Sequence, residues 1–257
     1  MHGHSLQDRI AVVTGASAGI GRAIASKLVA QGARVVVNAR RGDALRELVS
    51  ELGEDLALPL AGDAADDAVI AAMLDAARDR FGAEADLVVV NAGRGLKGGV
   101  SDSDTGQWEE MVRTNLLGAA RLMREAAARM LTLANQDDWQ SRPRDIVVLG
   151  SNVGRHVSPF SSMYGSTKFA VGSLAEALRR EVGPKGVRVT LVCPGVVRTE
   201  FQRVAGYDPD EFGAFMERIG PVLEPGDIAN MVVYVCSQPA NVHVNDIVIR
   251  PTRQEYP

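Results

Sequence analysis

Tyr164 and Lys168 stand four residues apart in the run Tyr164-Gly165-Ser166-Thr167-Lys168. On a helix this spacing puts both side chains on one face, one turn apart. A phenol in water holds its proton up to about pH 10, too high for a base at neutral pH, and a neighbouring ammonium favours the phenolate. Bringing the value to ~7 takes about 4 kcal/mol at ~1.36 kcal/mol per unit, so Lys168 would need help from a second positive charge. Many helices contain a Tyr and a Lys four apart by chance. This pair gains meaning because it follows the fifth of a series of strand-like runs.

The elements that would position such a pair begin with the first of those runs. It leads directly into Thr14-Gly15-Ala16-Ser17-Ala18-Gly19-Ile20-Gly21 and then a helical pattern. Gly15 allows a tight turn, Gly19 a close backbone approach to a pyrophosphate, and Gly21 close packing of helix on strand. The helix N-terminus adds free N–H groups and a positive dipole end. Between a first strand and a helix, this turn reads as a dinucleotide site rather than a simple bend. An oxidised nicotinamide would then be the second positive charge. At the end of the second strand, NAD binders usually carry a carboxylate for the ribose 2′-OH. Here Val37-Asn38-Ala39-Arg40-Arg41 offers two arginines instead. Arg pairs well with a 2′-phosphate, so the expected cofactor is NADP(H), with Arg40 as main contact and Ser17 as a second.

The strand candidates are Ile10–Thr14, Arg34–Asn38, Leu56–Leu60, Leu87–Asn91, Ile146–Leu149, Val187–Val192 and Ile247–Ile249. Their nearly continuous apolar character suits a parallel sheet covered on both faces. Helical patterns lie between them over Arg22–Gln31, Asp66–Phe81, Trp108–Leu131 and Met163–Val182. The alternation predicts an α/β fold, a single Rossmann-type doubly wound domain over 1–257 with a seven-stranded parallel sheet flanked by helices. Two stretches break the rhythm. Thr132–Arg144 is polar, carries Trp139 and reads as a long surface loop; Trp139 would reach a neighbouring subunit or pack on its own loop. The stretch 199–223 holds Tyr207, Phe212, Phe215 and Met216 and sits where α/β folds place substrate-covering elements.

The 257 residues are 46% hydrophobic, enough for a large core, and the net charge of −4 implies no strong field for nucleic acid or an anionic membrane. No apolar run reaches the ~20 residues of a membrane span. The start, Met1-His2-Gly3-His4-Ser5, lacks the apolar core of a signal peptide, so a cytoplasmic location is expected. The His2/His4 pair reads as tail, Cys193 and Cys236 as packing thiols, and no Cys/His cluster has zinc spacing, so no metal is expected.

With these residues in place, the chain resembles the short-chain dehydrogenase/reductase family over essentially its whole length. Five elements match in order: Thr14–Gly21; Asp63 after the third strand; Asn91-Ala92-Gly93 after the fourth; Ser151 thirteen residues before Tyr164; and Pro194-Gly195 followed by Thr199. The resemblance implies that Tyr164 is the acid/base acting on the substrate oxygen. It implies that Ser151 donates to that same oxygen, and that Lys168 holds the nicotinamide ribose and lowers the Tyr164 pKa. Asn115 would hold a water linking Lys168 to solvent; a satisfied core amide is the plainer reading. Asp63, with Ala64 beside it, would accept from the adenine amino group, though a helix N-cap is equally allowed by local sequence. Asn91 would brace the sheet, Gly93 would leave room for the adenosine ribose, and Val197 and Thr199 would meet the carboxamide. Ile20, Ala92, Pro194 and Gly195 complete the implied cofactor contacts.

The ending, Asp246-Ile247-Val248-Ile249-Arg250-Pro251-Thr252-Arg253-Gln254, resembles the NADP-dependent branch that acts on serine and other 3-hydroxy acids, which also includes carbonyl reductases. An acid substrate would need a cation, for which Arg94, Arg155 and Arg203 are candidates by position. An apolar lid over 207–216 would favour a hydrophobic ketone or aldehyde instead. His156 reads as an ordinary loop histidine. Small residues along the Tyr164 helix are consistent with family members that pair helices across a dimer interface, and a homotetramer is expected. The expected function is NADP(H)-dependent interconversion of a small-molecule alcohol and its carbonyl compound. The alternatives are a 3-oxoacyl-carrier-protein reductase and a non-catalytic NADP-binding protein.

Overall fold

A computed structural model describes residues 6–132 and 139–256. The His2/His4 pair and residues 133–138 of the polar stretch lie outside the described residues. Seven strands carry the framework: β1 (Ile10–Thr14), β2 (Arg34–Ala39), β3 (Ala57–Ala61), β4 (Leu87–Val90), β5 (Arg144–Leu149), β6 (Val187–Pro194) and β7 (Asp246–Ile249). They form one parallel sheet in the order β3-β2-β1-β4-β5-β6-β7. The order reverses between β1 and β4, and an open sheet of this kind leaves a crevice beyond the carboxyl ends of those strands.

The helices are α1 (Gly19–Ala30), α2 (Gly42–Leu52), α3 (Asp67–Phe81), α4 (Trp108–Val112), α5 (Ala119–Thr132), α6 (Ser162–Val182), α7 (Phe201–Val204), α8 (Pro209–Ile219) and α9 (Pro225–Cys236). Two apolar layers sandwich the sheet. One joins α1, α2 and α9 through Ile24, Leu28, Leu45, Leu48 and Ile228. The other joins α3, α5 and α6 through Met73, Leu74, Leu122, Met130 and Val171. Strands β1, β5 and β6 are buried along their entire length, which is why they are largely apolar, with Arg144, Asp145 and Arg188 the charged residues among them.

Three sequence expectations change. The first helix begins at Gly19, not Arg22, because the glycine turn itself becomes the first helical turn. The helix expected over Trp108–Leu131 is interrupted by a π turn at Arg113–Gly118. There Asn115 swings toward the loop after β4, and a Cβ on Gly118 would lie 2.9 Å from Ala65 Cα. The 199–223 stretch, expected as a substrate-covering loop and helix, holds two helices, α7 and α8. Trp139 packs on its own chain: a Cβ at Gly186 would lie 2.5 Å from Trp139 Cβ. Cys193 and Cys236 are buried free thiols.

Candidate active site

Every motif singled out in the sequence arrives at the carboxyl ends of the strands, around a single cavity of about 1380 Å³. At one end is the glycine turn. Gly15 and Gly19 have φ of +67° and +55°, conformations that suit glycine. A side chain at Gly21 would collide with the Gly15 carbonyl oxygen. Asn91 locks this turn to the sheet, its Nδ2 donating to the Thr14 carbonyl at 2.8 Å. The Asn91 and Ala92 N–H groups both donate to Thr14 Oγ1. Helix α1 starts at this cavity with no side-chain cap, whereas α3 and α8 are capped by Asp66 and Asp208. Its orphan N–H groups therefore face the cavity unmet by any cap.

At the rim beside β2, Arg40 and Arg41 are both exposed. Arg41, not Arg40, bonds Ser17, with Nη2 3.2 Å from Oγ, and it also faces Glu200 at 3.5 Å. Asn38 donates to the Leu60 and Gly62 carbonyls, tying β2 to the turn after β3. Asp63 is not the cap of α3; Asp66 is. Asp63 accepts from Ala65 N–H at 2.9 Å and pairs with Arg113 at 2.6 Å. Burial opposes its ionisation, but these two partners outweigh burial and hold its carboxyl below the usual range. Ala64 lines the cavity next to it.

The candidate proton-transfer groups lie deeper. The first two turns of α6 bring Tyr164 and Lys168 to the cavity, and Ser151, which follows β5, lines it beside them. Lys168 is 8% exposed; its Nζ donates to the Leu149 carbonyl at 2.7 Å and lies 5.8 Å from the centre of the Tyr164 ring. Burial draws this ammonium down to about 8. Burial also pushes the Tyr164 phenol above its ordinary value, against the opposing effect of Ser151. Lys168 alone therefore does not make Tyr164 a phenolate, in line with the need for a second positive charge: a bond to a carbonyl occupies the ammonium, and desolvation dominates the phenol.

Asn115 is buried, and its amide is committed to protein. It accepts from Arg94 N–H and donates to the Arg94 carbonyl, both at 2.8 Å, and to Thr167 Oγ1 at 3.1 Å. It thus braces the Gly93-Arg94 turn against α6 instead of offering a free amide to water. A Cβ at Gly93 would lie 3.8 Å from Lys168 Nζ. Across the cavity, Pro194, Gly195, Val197 and Thr199 form the strip leaving β6. Thr199 Cγ2 would be 3.2 Å from a Cβ at Gly19, so the strip and the glycine turn face each other closely. Ile20 lines the cavity and packs on the core.

One wall residue, Phe201, carries no sequence signal of its own, whereas Tyr207, Phe212 and Phe215 belong to the stretch expected to cover the cavity. Phe201 of α7 packs on Tyr164 with ring centres 5.3 Å apart, and Tyr207, Phe212 and Phe215 form a connected aromatic row at 5.3 and 5.8 Å. Of the three arginines proposed for an acid substrate, Arg155 pairs with Asp246 and does not line the cavity; Arg94 and Arg203 do. Among the described residues no group of three or more His, Cys, Asp or Glu is placed to hold a metal, and no helix is long and apolar enough to cross a membrane.

The fold and this gathering of motifs define a dinucleotide-binding oxidoreductase, and the comparisons give its family. Residues 9–209 match the model of the short chain dehydrogenase family. The chain is 35% identical to dehydrogenase/reductase SDR family member 11 of Homo sapiens, over 96% of each chain. It is 32% identical to an uncharacterized oxidoreductase of Staphylococcus aureus, over 96% of this chain and 98% of the relative. Among solved structures, the closed form of a serine dehydrogenase complexed with NADP+ superposes with a TM-score of 0.86 at 30% identity, covering 96% of both chains. The chain belongs to the short-chain dehydrogenase/reductase family of oxidoreductases.

Proposed function

We propose that the protein is an NADP(H)-dependent enzyme interconverting an apolar alcohol and its aldehyde or ketone, acting through one dinucleotide-binding and catalytic unit. The observation that carries this reading is continuity. A single cavity runs from the glycine turn and its two arginines to Ser151, Tyr164 and Lys168, and then to an aromatic wall.

The residues fit a nicotinamide dinucleotide. The uncapped start of α1 and the cavity-lining backbone of Gly15 and Gly19 suit a pyrophosphate. Arg40 and Arg41, with no carboxylate at the end of β2, suit a 2′-phosphate. Asp63 suits the adenine amino group, and Val197 with Thr199 a carboxamide. When bound, the cofactor supplies the hydride or accepts it. Tyr164 gives its proton to the carbonyl oxygen in reduction and takes one from the alcohol in oxidation. Ser151 donates to the same oxygen. Lys168, protonated at neutral pH and bonded to the Leu149 carbonyl, would hold the nicotinamide ribose. A neutral, buried Tyr164 is already in the state that reduction requires.

The aromatic row of Tyr207, Phe212 and Phe215, with Phe201, favours an apolar carbonyl compound over a small hydroxy acid such as the solved relative's name indicates. Leu117, Phe169, Leu174, Tyr234 and Val248 are exposed apolar side chains of the kind that subunit contacts in a homotetramer would cover. We place the enzyme in the cytoplasm.

The test is NADPH consumption across aldehydes, ketones and 3-oxo acids of increasing apolar size, with NADP+ and alcohols in reverse. Turnover should favour bulky apolar carbonyls, and Arg40→Asp should weaken NADPH binding at least ~10-fold more than NADH binding, as loss of a charged phosphate contact implies. Equal effects on the two cofactors would overturn the NADP(H) reading, and turnover confined to small acids would overturn the apolar-substrate reading.

A further inference from the structure

The ending Arg250-Pro251-Thr252-Arg253-Gln254 lies beyond the residues matched by the family model, and proton transfer makes no use of it. The structure nevertheless brings this tail into the wall of the cavity, where Thr252, Arg253, Gln254 and Tyr256 all line it. Three contacts run from the tail to three separate parts of that wall. Gln254 Oε1 accepts from Val196 N–H at 2.9 Å. Arg253 Nη1 reaches the Gly220 carbonyl at 3.4 Å, at the end of α8. The Tyr256 hydroxyl donates to the Val157 carbonyl, in the loop that follows Ser151.

The Gln254 contact is the most constrained. Gln254 is 5% exposed, an unusual position for an amide near a chain end. It lies directly over Gly195, where any Cβ would collide with Gln254 Oε1 and would lie 2.8 Å from Arg250 Cβ. The strip from Gly195 to Arg198 is then held at successive points. Gly195 N–H donates to the Ile249 carbonyl, Val196 N–H to Gln254, Leu223 N–H to the Val196 carbonyl, and Gln202 Nε2 to the Val197 carbonyl. Val196 N–H is the point where the fixing acceptor is a side chain carried by the tail. Gly195 thus gains a second reason to be glycine, beyond anything its Pro-Gly motif declares.

We propose that Gln254 is a positioning residue that sets the Pro194–Thr199 strip for cofactor binding, with the tail clasping the cavity wall around it. This rests on the nicotinamide reading above. Withdrawing the acceptor lets the strip relax away from Val197 and Thr199's working positions, so cofactor affinity falls while Ser151, Tyr164 and Lys168 keep their own supports on β5 and α6.

Three variants test it: Gln254→Met, which keeps length and burial but lacks the acceptor; Gln254→Glu, which keeps an acceptor oxygen; and Gln254→Asn, a milder change that shortens the side chain by one methylene. Each is followed by NADPH titration (protein fluorescence), by the KM–kcat split, and by amide hydrogen exchange of residues 194–199 in the ligand-free protein. The expected result is faster exchange at Val196 and a roughly 10-fold weaker NADPH Kd for Gln254→Met, as loss of one buried hydrogen bond implies. Gln254→Asn should fall in between, with Gln254→Glu near wild type and kcat changing less than KM throughout. Unchanged exchange, or changed exchange with unchanged Kd, overturns the proposal. So does equal damage in all three variants, which would mark Gln254 as structural only. If the unsubstituted protein binds no NADPH, the cofactor reading and the cofactor-positioning role both fall; exchange then tells whether the clasp itself exists.

Discussion

The two ends of the sheet both bury charge, and they do so in opposite ways. At the amino ends of the strands, Arg9, Asp86, Asp145 and Arg188 form one closed network. Arg9 bonds Asp86 at 2.7 Å and Asp145 at 3.0 Å, and Arg188 grips Asp145 through two bonds at 2.7 and 3.0 Å. Arg188 also caps the carbonyls of Cys236, Gln238, Pro239 and Val242, which fastens the end of α9 to the sheet. At the carboxyl ends, Lys168 is buried as deeply, yet its partner is a carbonyl dipole and its neighbour a neutral phenol. Buried charge met by opposite charge holds structure. Buried charge left without a counter-charge costs stability and remains available to bind or move a proton.

This contrast can be broken from the paired end first. Asp145→Asn keeps the shape but leaves two buried guanidiniums without their shared carboxylate, so unfolding free energy should fall by about 3–5 kcal/mol. Turnover per folded molecule should be unchanged. Denaturant titration alongside activity checks both, and a loss under ~1 kcal/mol would mean that the network is ornamental.

The unpaired end should respond with the opposite sign. Burial holds the Lys168 ammonium at about 8, below the ordinary lysine value, so the folded state resists its proton. The cost is fully present below about pH 8 and disappears as pH rises toward the unfolded value near ~10.4. Lys168→Met should therefore stabilise the protein by about 2–3 kcal/mol at pH 7 while abolishing turnover. The stability gap between the two proteins should close from pH 8 to 10. Thermal melts over that range would contradict the account if the variant were less stable at pH 7.

These two ends were not equally legible in the sequence. The inner strands announce themselves because both of their faces are covered and most of their residues are apolar; Arg144 and Asp145 spoiled that signal at the start of β5, which begins two residues before Ile146. The site motifs were legible because each is local: Thr14–Gly21 folds on itself, and Tyr164 and Lys168 share a helix face. The ion network was not, since Arg9 lies 77 residues from Asp86 and 136 from Asp145. The same holds for Gln254, 58 residues from Val196, and for Phe201 over Tyr164. Within the site, geometry decided between readings that the sequence left open. Arg155 pairs with Asp246 away from the cavity, and Asp66, not Asp63, caps α3.

The most direct test of the account is Tyr164→Phe, measured as NADPH oxidation with an apolar ketone and, separately, as NADPH binding. The variant removes the proposed proton donor and leaves the proposed cofactor contacts on β1, β2 and the β6 strip in place. Turnover should fall by about 10³-fold, with the NADPH dissociation constant changed less than ~3-fold. Retention of more than about a tenth of wild-type turnover would contradict the assignment of Tyr164 as the proton donor.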